Sequence, residues 1–145
     1  MTTAITDSFT QDHHGCDRLL AQAERRVAAG DWPAAATAVA DLGAAMEHHF
    51  ALEEGVLFPE LAQVFRVAEN PIEVMVAEHA QLRALLTDLH QAAAERAQAD
   101  ALGVLETLHL LVQQHNYKEE GVLYPMADGA LPERGAAIAA LLAGD

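Results

Sequence analysis

The chain has 145 residues, 52% of them hydrophobic, and a formal net charge of −14. This length suits one domain, residues 1–145, with a substantial core, and the apolar content excludes a disordered chain. Because phosphates and anionic lipids bind clustered Lys and Arg, eight such residues against 22 Asp and Glu argue against nucleic-acid and membrane partners. One Cys, and no signal-like or membrane-spanning stretch, predict a cytoplasmic protein.

The composition favours helices, because Ala and Leu dominate and β-branched residues are few. The turn and cap signals predict four long helices at about residues 10–29, 31–67, 70–97 and 100–127, and a short terminal helix at about 132–142. Short loops make neighbouring helices antiparallel, so we expect an all-α, up-down-up-down four-helix bundle over residues 10–127. The terminal helix should close one end of this bundle.

The predicted helix ends depend on a few capping residues. Asp31 and Asp100 can cap the second and fourth helices. The third helix has the strongest start signal, with Asn70 as the cap, proline in the first turn and glutamate at the capping-box position. The dipeptide Asp128-Gly129 is expected to end the fourth helix.

Two stretches of the sequence are nearly identical: HFALEEGVLFP at 49–59 and HNYKEEGVLYP at 115–125. They align at an offset of 66 positions, which also places His13 on His79 and Asp12 on Glu78. Such an internal repeat predicts two helical hairpins related by a pseudo-two-fold axis.

Each repeat contains a histidine and, 36 positions later, a His-x-x-x-Glu pair. Residues four apart lie on one face of a helix, and both pairs fall within apolar stripes that should face the core. Four imidazoles and two carboxylates would then converge in the bundle, where carboxylates are costly unless they are paired or bound to metal. The predicted metal ligands are His13, His49, Glu53, His79, His115 and Glu119.

A single His-x-x-x-Glu pair is ordinarily a solvated surface pair, and the repetition is what argues for metal here. The repeat also selects His13 over His14, because His14 corresponds to an alanine. His48 has no matching histidine and is expected at the surface. His109 lies six positions before His115, about 120° around the helix, and should point away from the predicted ligands. Six imidazole and carboxylate ligands suit two metal ions, with iron favoured and manganese or zinc left open.

The four segments DHHGCDRLL (12–20), HFALEEGVLFP, EHAQLRALL (78–86) and HNYKEEGVLYP resemble, in this order, hemerythrin-like proteins with the His-His-Glu cation-binding domain. The resemblance covers residues 10–127. It implies a four-helix bundle around a non-haem centre of two Fe ions with oxo or hydroxo bridging. It also implies that the six predicted residues are ligands and that Glu53 and Glu119 are bridges.

The chain departs from the oxygen-carrying members of this family. They have a histidine four positions after the one corresponding to His79, where this chain has Arg83, and a terminal Asp ligand in place of Glu119. The four-His, two-Glu set is more similar to the bacterial branch. We therefore expect the protein to bind, or to react with, a small diatomic gas or peroxide. The expected molecules are dioxygen, nitric oxide and peroxide. Gas sensing or scavenging, and iron delivery or iron-centre repair without turnover, remain alternatives, and whether there is a protein partner stays open.

Four residues are candidates for contact with the ligands rather than with metal: Asp12, Glu78, Arg83 and Cys16. Arg83 either points away or pairs with a carboxylate, and Cys16 either packs as a small hydrophobe or is a thiol tuned by the metal. The repeat also relates Glu24 to His90. These two residues either form a hydrogen-bonded pair far from the metal or face water.

Overall fold

The computed structural model describes residues 4–144, and all regular secondary structure within them is helical. One long rod is α1 (Ala4–Ala28), and a second is α2 (Trp32–Leu52) continued by α3 (Phe58–Val64). The third is α4 (Glu69–Ala94), and the fourth is α5 (Gln98–Lys118) continued by α6 (Tyr124–Ala130). A 3₁₀ turn at Arg66–Ala68 joins α3 to α4, and α7 (Gly135–Leu142) follows α6.

The helices form the predicted four-helix bundle. Helices α1 and α4 each pack against both α2 and α5, and α7 packs across α1 and α2. The all-α fold with a short terminal helix is therefore confirmed. Within the described part of the chain, no helix combines the length and the apolar character needed to cross a membrane.

The sequence predicted that the second and fourth rods are continuous α-helices, and this prediction is wrong. Each contains a five-residue π-helical turn, Glu53–Leu57 and Glu119–Leu123, and both turns have the sequence EEGVL. The backbone N–H of Phe58 donates to the carbonyl of Glu53, and that of Tyr124 donates to Glu119, which are i to i−5 bonds. A proline follows each turn and has no N–H to donate to the carbonyl four residues earlier, which helps to open the helix there.

Several predicted helix boundaries are wrong. Helices α4 and α5 begin without a side-chain cap, so neither Asn70 nor Asp100 has the predicted role, whereas Asp31 does accept from the backbone N–H of Ala34. The second rod ends at Val64 rather than near residue 67, and α7 begins at residue 135 rather than 132.

Asp128 explains two further differences. Helix α6 continues past it to Ala130, because the Asp128 carboxylate bonds to the start of α1 instead of ending its own helix. The backbone N–H groups of Ile5 and Thr6 and the Thr6 hydroxyl donate to it at 2.6–3.0 Å. This distant cap, together with burial of Ile5 and Phe9, lets α1 begin at Ala4, six positions before the predicted start.

Two apolar clusters fill the bundle, one on each side of the predicted ligands. The larger cluster runs from Leu20 to the far ends of α4 and α5. The smaller cluster contains Phe9, Phe58 and Tyr124 and is closed by α7. The predicted metal ligands thus lie at a polar level between two buried apolar layers.

Candidate metal centre

All six predicted ligands face the bundle interior. Their exposed fractions lie between 0% and 4%. The four histidines come one from each rod, at the level where α1, α2, α4 and α5 meet. The two glutamates begin the π-helical turns, so each directly follows the last residue of an α-helix.

The ligand atoms form two overlapping groups, in each of which one atom per residue lies within 4.8 Å of the others. We name these groups position A (His13, His49, Glu53, Glu119) and position B (Glu53, His79, His115, Glu119). Each position has two imidazoles of its own, and both glutamates are shared. A carboxylate shared between two sites can place one oxygen in each, so the arrangement suits two neighbouring cations.

The hydrogen bonding at position B fits a bound cation. Within residues 4–144, four buried polar atoms there have no hydrogen-bond partner: Glu53 Oε1, His79 Nε2, His115 Nε2 and Glu119 Oε2. His79 Nε2 lies only 3.0 Å from Glu53 Oε1, and His115 Nε2 lies 3.2 Å from Glu119 Oε2, yet neither contact has hydrogen-bond geometry. Buried polar atoms are nearly always paired, so converging lone pairs of this kind fit a bound metal ion.

Every one of the four histidines donates its other ring nitrogen to a carboxylate at 2.6–2.8 Å. The Nδ1 pairs are His13–Glu120, His49–Asp12, His79–Glu54 and His115–Glu78. When the imidazole is neutral, such a bond fixes the tautomer so that Nε2 carries the lone pair facing the site, and it makes that Nε2 a stronger electron-pair donor to a metal ion. These carboxylates also follow the 66-residue repeat, since Asp12 corresponds to Glu78 and Glu54 corresponds to Glu120.

Tyr124 is fully buried beside position A. Its hydroxyl lies 2.6 Å from Glu53 Oε2 and 2.8 Å from Glu119 Oε1, and within 3.1 Å of the Nε2 atoms of His13 and His49. The corresponding residue of the other repeat is Phe58, whose ring stacks on His79 at 6.1 Å and has no hydroxyl. The two positions therefore differ in their immediate surroundings.

Aromatic rings separate the ligands from water. Phe50 stacks on the His79 ring at 4.1 Å between centroids, and Phe9 meets the His49 ring edge-on at 5.4 Å. Together with the burial of the ligands, these rings enclose the two positions within the core.

Electrostatics in the metal-free site follow from this burial and the many carboxylates. Burial lowers the pKa of His49, but Glu53 and Asp12 more than reverse this and raise it to about 10. Burial also lowers the pKa of His79, but Glu119 and Glu53 more than reverse this and raise it to about 9. Burial alone would raise the pKa of Glu119, yet the surrounding imidazoles hold it well below its usual range. Without metal, protons on the imidazoles offset the carboxylate charge.

Comparison with known proteins agrees with this geometry. The sequence profile of the hemerythrin HHE cation binding domain matches residues 4–127, which is most of the chain. The chain belongs to this family. No curated protein and no solved structure matches it significantly. The resemblance noted in the sequence is thus confirmed, and with it a cation-binding hemerythrin domain.

Outside the six predicted ligands, the predicted contact residues have different roles. Asp12 and Glu78 both bind ligand imidazoles, as described above. Arg83 pairs with carboxylates, as one alternative proposed: its Nη1 lies 2.9 Å from Glu54 Oε2, and its Nε and Nη2 bind Glu47. Cys16 is half-buried and packs against the larger apolar cluster.

The remaining histidines lie outside the site. His14, His48 and His109 are exposed, as expected, and His48 contacts the carbonyl of Leu142 in α7. His90 is exposed as well, with its ring beside α2, and within residues 4–144 no hydrogen bond or ion pair joins it to Glu24. The hydrogen-bonded pair proposed for these two residues is therefore not formed, because α1 and α4 lie diagonally across the bundle and the His90 ring lies beside α2.

Three residues in contact with the predicted ligands were not identified from the sequence: Glu54, Glu120 and Tyr124. The two glutamates had a visible signal, since the doublet Glu-Glu occurs at the same place in both repeats. Tyr124 had none, because an aromatic residue five positions after a ligand is on a different face of a regular α-helix.

Proposed function

We propose that this hemerythrin domain holds two iron ions and binds or reacts with dioxygen, peroxide or nitric oxide. The observation that carries the proposal is the sharing of Glu53 and Glu119 by two donor groups, with four buried donor atoms left without hydrogen-bond partners. Mixed imidazole and carboxylate ligands suit iron. Two iron ions supply electrons that these small molecules can accept or share.

The residues around the site support a small, uncharged or weakly polar molecule. The ligands are at most 4% exposed and lie between apolar layers, which excludes a larger substrate from direct contact. The four outer carboxylates keep the Nδ1 protons in place and orient the imidazoles. Tyr124 places a hydroxyl proton beside Glu53 and Glu119, where it can be held or donated.

The test begins with metal content. Protein loaded anaerobically with iron(II) is expected to contain two ions per chain, and chelation should lower the melting temperature because metal binds only the folded site. Glu53→Ala and Glu119→Ala should lower the iron content strongly, whereas His48→Ala and His109→Ala, which change exposed histidines, should not. One ion or none in carefully loaded protein would contradict the dinuclear site.

Absorption spectra under dioxygen, nitric oxide and peroxide, with products counted, then define the chemistry. Many product molecules per chain support an oxidoreductase. A spectral change with at most one molecule consumed per site supports a binding, sensing or scavenging protein. No spectral response to any of the three molecules would overturn the proposed reactivity.

A further inference from the structure

Positive charges are distributed unequally around the four outer carboxylates, although the carboxylates themselves follow the repeat. At position B, Glu54 binds Arg83 and Glu78 binds Lys118. At position A, neither Asp12 nor Glu120 has an ion pair with Lys or Arg within residues 4–144. Arg18 lines the same surface groove as Asp12 but forms no ion pair with it.

The repeat shows how this asymmetry arises. Arg83 corresponds to Asp17, and its partner Glu47 corresponds to Gln113. Gln113 Nε2 donates to Asp17 Oδ1 at 3.2 Å, so the equivalent contact is present between α1 and α5 but contains no cation. Lys118 corresponds to Leu52, which has no charge. Both cations therefore lie on the side of position B.

We propose that Arg83 and Lys118 make position B the weaker metal site, so that position A fills first. This inference rests on the proposed dinuclear site. A carboxylate that accepts a hydrogen bond from the Nδ1–H group makes the imidazole a better electron-pair donor to a metal ion. A cation paired with the same carboxylate withdraws negative charge from it and so weakens this effect. Each cation also repels a divalent ion in the neighbouring site. Both effects act on His79 and His115 and have no counterpart at His13 and His49.

Repulsion between two bound ions weakens the second binding event even in a symmetric site, so each position must be measured alone. The repeat provides the matched pair of variants. His49→Ala removes an imidazole from position A and leaves position B, whereas His115→Ala does the reverse. Anaerobic titration with Co²⁺, followed by its absorption bands and by competition with a chelator, gives the affinity of each. We expect Co²⁺ to bind the His115→Ala variant, which keeps position A, more tightly than the His49→Ala variant, which keeps position B.

The Tyr124 hydroxyl also distinguishes the two positions, so the contribution of the cations needs its own variants. Removing them by Arg83→Gln and Lys118→Met in the His49→Ala chain should raise Co²⁺ affinity by roughly three- to tenfold, a smaller effect than direct loss of an outer partner. The charge-conserving pair Arg83→Lys and Lys118→Arg should not raise it. Arg134→Gln, which breaks the exposed pair with Glu60 far from the site, is the matched control.

Arg83 and Lys118 are 34% and 48% exposed, so these variants should fold, and circular dichroism checks this. An unchanged or lower affinity after both cations are removed would overturn the inference, as would tighter binding at position B. Two ions of equal affinity would overturn it while leaving the dinuclear site intact. Fewer than two Co²⁺ ions per wild-type chain at saturation would instead contradict the dinuclear site itself.

Discussion

Replacing Tyr124 with phenylalanine removes one hydroxyl from the centre of the site and little else. The ring is completely buried in the smaller apolar cluster, and Phe58 occupies the corresponding place in the other repeat. A phenylalanine ring therefore fits this environment. The change tests whether the hydroxyl takes the place of metal as a partner for the shared carboxylates.

The expected magnitude follows from the contacts of the hydroxyl. It lies 2.6 Å from Glu53 Oε2 and 2.8 Å from Glu119 Oε1, but its single proton can serve only one of them at a time. Leaving one buried acceptor without its donor costs about 1–3 kcal/mol, and His13 still reaches Glu119 at 3.1 Å, which favours the lower half of that range. In a chain of this size, each kcal/mol lowers the melting temperature by about 2–4 °C.

The cost should depend on metal. In metal-free protein, Tyr124→Phe should lower the free energy of unfolding by this amount. In metal-loaded protein the same carboxylate oxygens have a metal partner, so the loss should be clearly smaller. Urea unfolding of chelator-treated and metal-loaded samples, followed by circular dichroism, measures both values. Tyr117→Phe is the control, because that side chain is 81% exposed.

Two outcomes would refute this reasoning. No destabilisation of the metal-free variant would mean that the hydroxyl is not needed to satisfy the carboxylates. A larger loss in the metal-loaded form than in the metal-free form would mean that the hydroxyl binds the metal itself.

Three further predictions concern the rest of the chain. Asp128→Ala should cost about 1–2 kcal/mol in thermal unfolding through loss of the α1 cap, and more than Asp31→Ala, whose single bond is exposed. In metal-free protein, the raised pKa values of His49 (about 10) and His79 (about 9) stabilise the fold fully below the unfolded value of about 6.5. That stability should fade as pH rises through 9 to 10, and a urea midpoint at pH 10 equal to that at pH 6 would contradict it. Burial and the neighbouring Asp12 raise the pKa of Cys16 to about 12, so iodoacetamide should modify it slowly at neutral pH until the chain is denatured, and rapid modification of the folded chain would argue against this.

The repeated pattern of the sequence is enough to predict the bundle and its candidate ligands. An imidazole four positions before a carboxylate, within an apolar stripe, must face the core, because both the stripe and the pair are local properties of one helix. Two copies at one offset then impose the two-fold arrangement. The choice of His13 over His14 followed from the same offset, and the structure places His13 inside and His14 at the surface.

Helix ends were harder to predict, because the partner of a capping group can be far away in sequence. Asn70 had the best local start signal and is not a cap, since α4 already begins at Glu69. Asp128 had a local signal for ending a helix, but its carboxylate bonds to backbone groups more than 120 positions earlier. A local pattern cannot report such a contact.

The sequence by itself determined which residues could bind metal, and the tertiary structure alone decided what surrounds them. The π-helical turns place Tyr124 over Glu119, five positions apart, whereas a regular α-helix would turn such residues about 140° away from each other. The outer partners Glu54 and Glu120 each belong to a different rod from the histidine they bind, as do Asp12 and Glu78. Their pairing depends on how the rods pack side by side, because helical periodicity fixes the face of a residue but not the neighbour that the face meets.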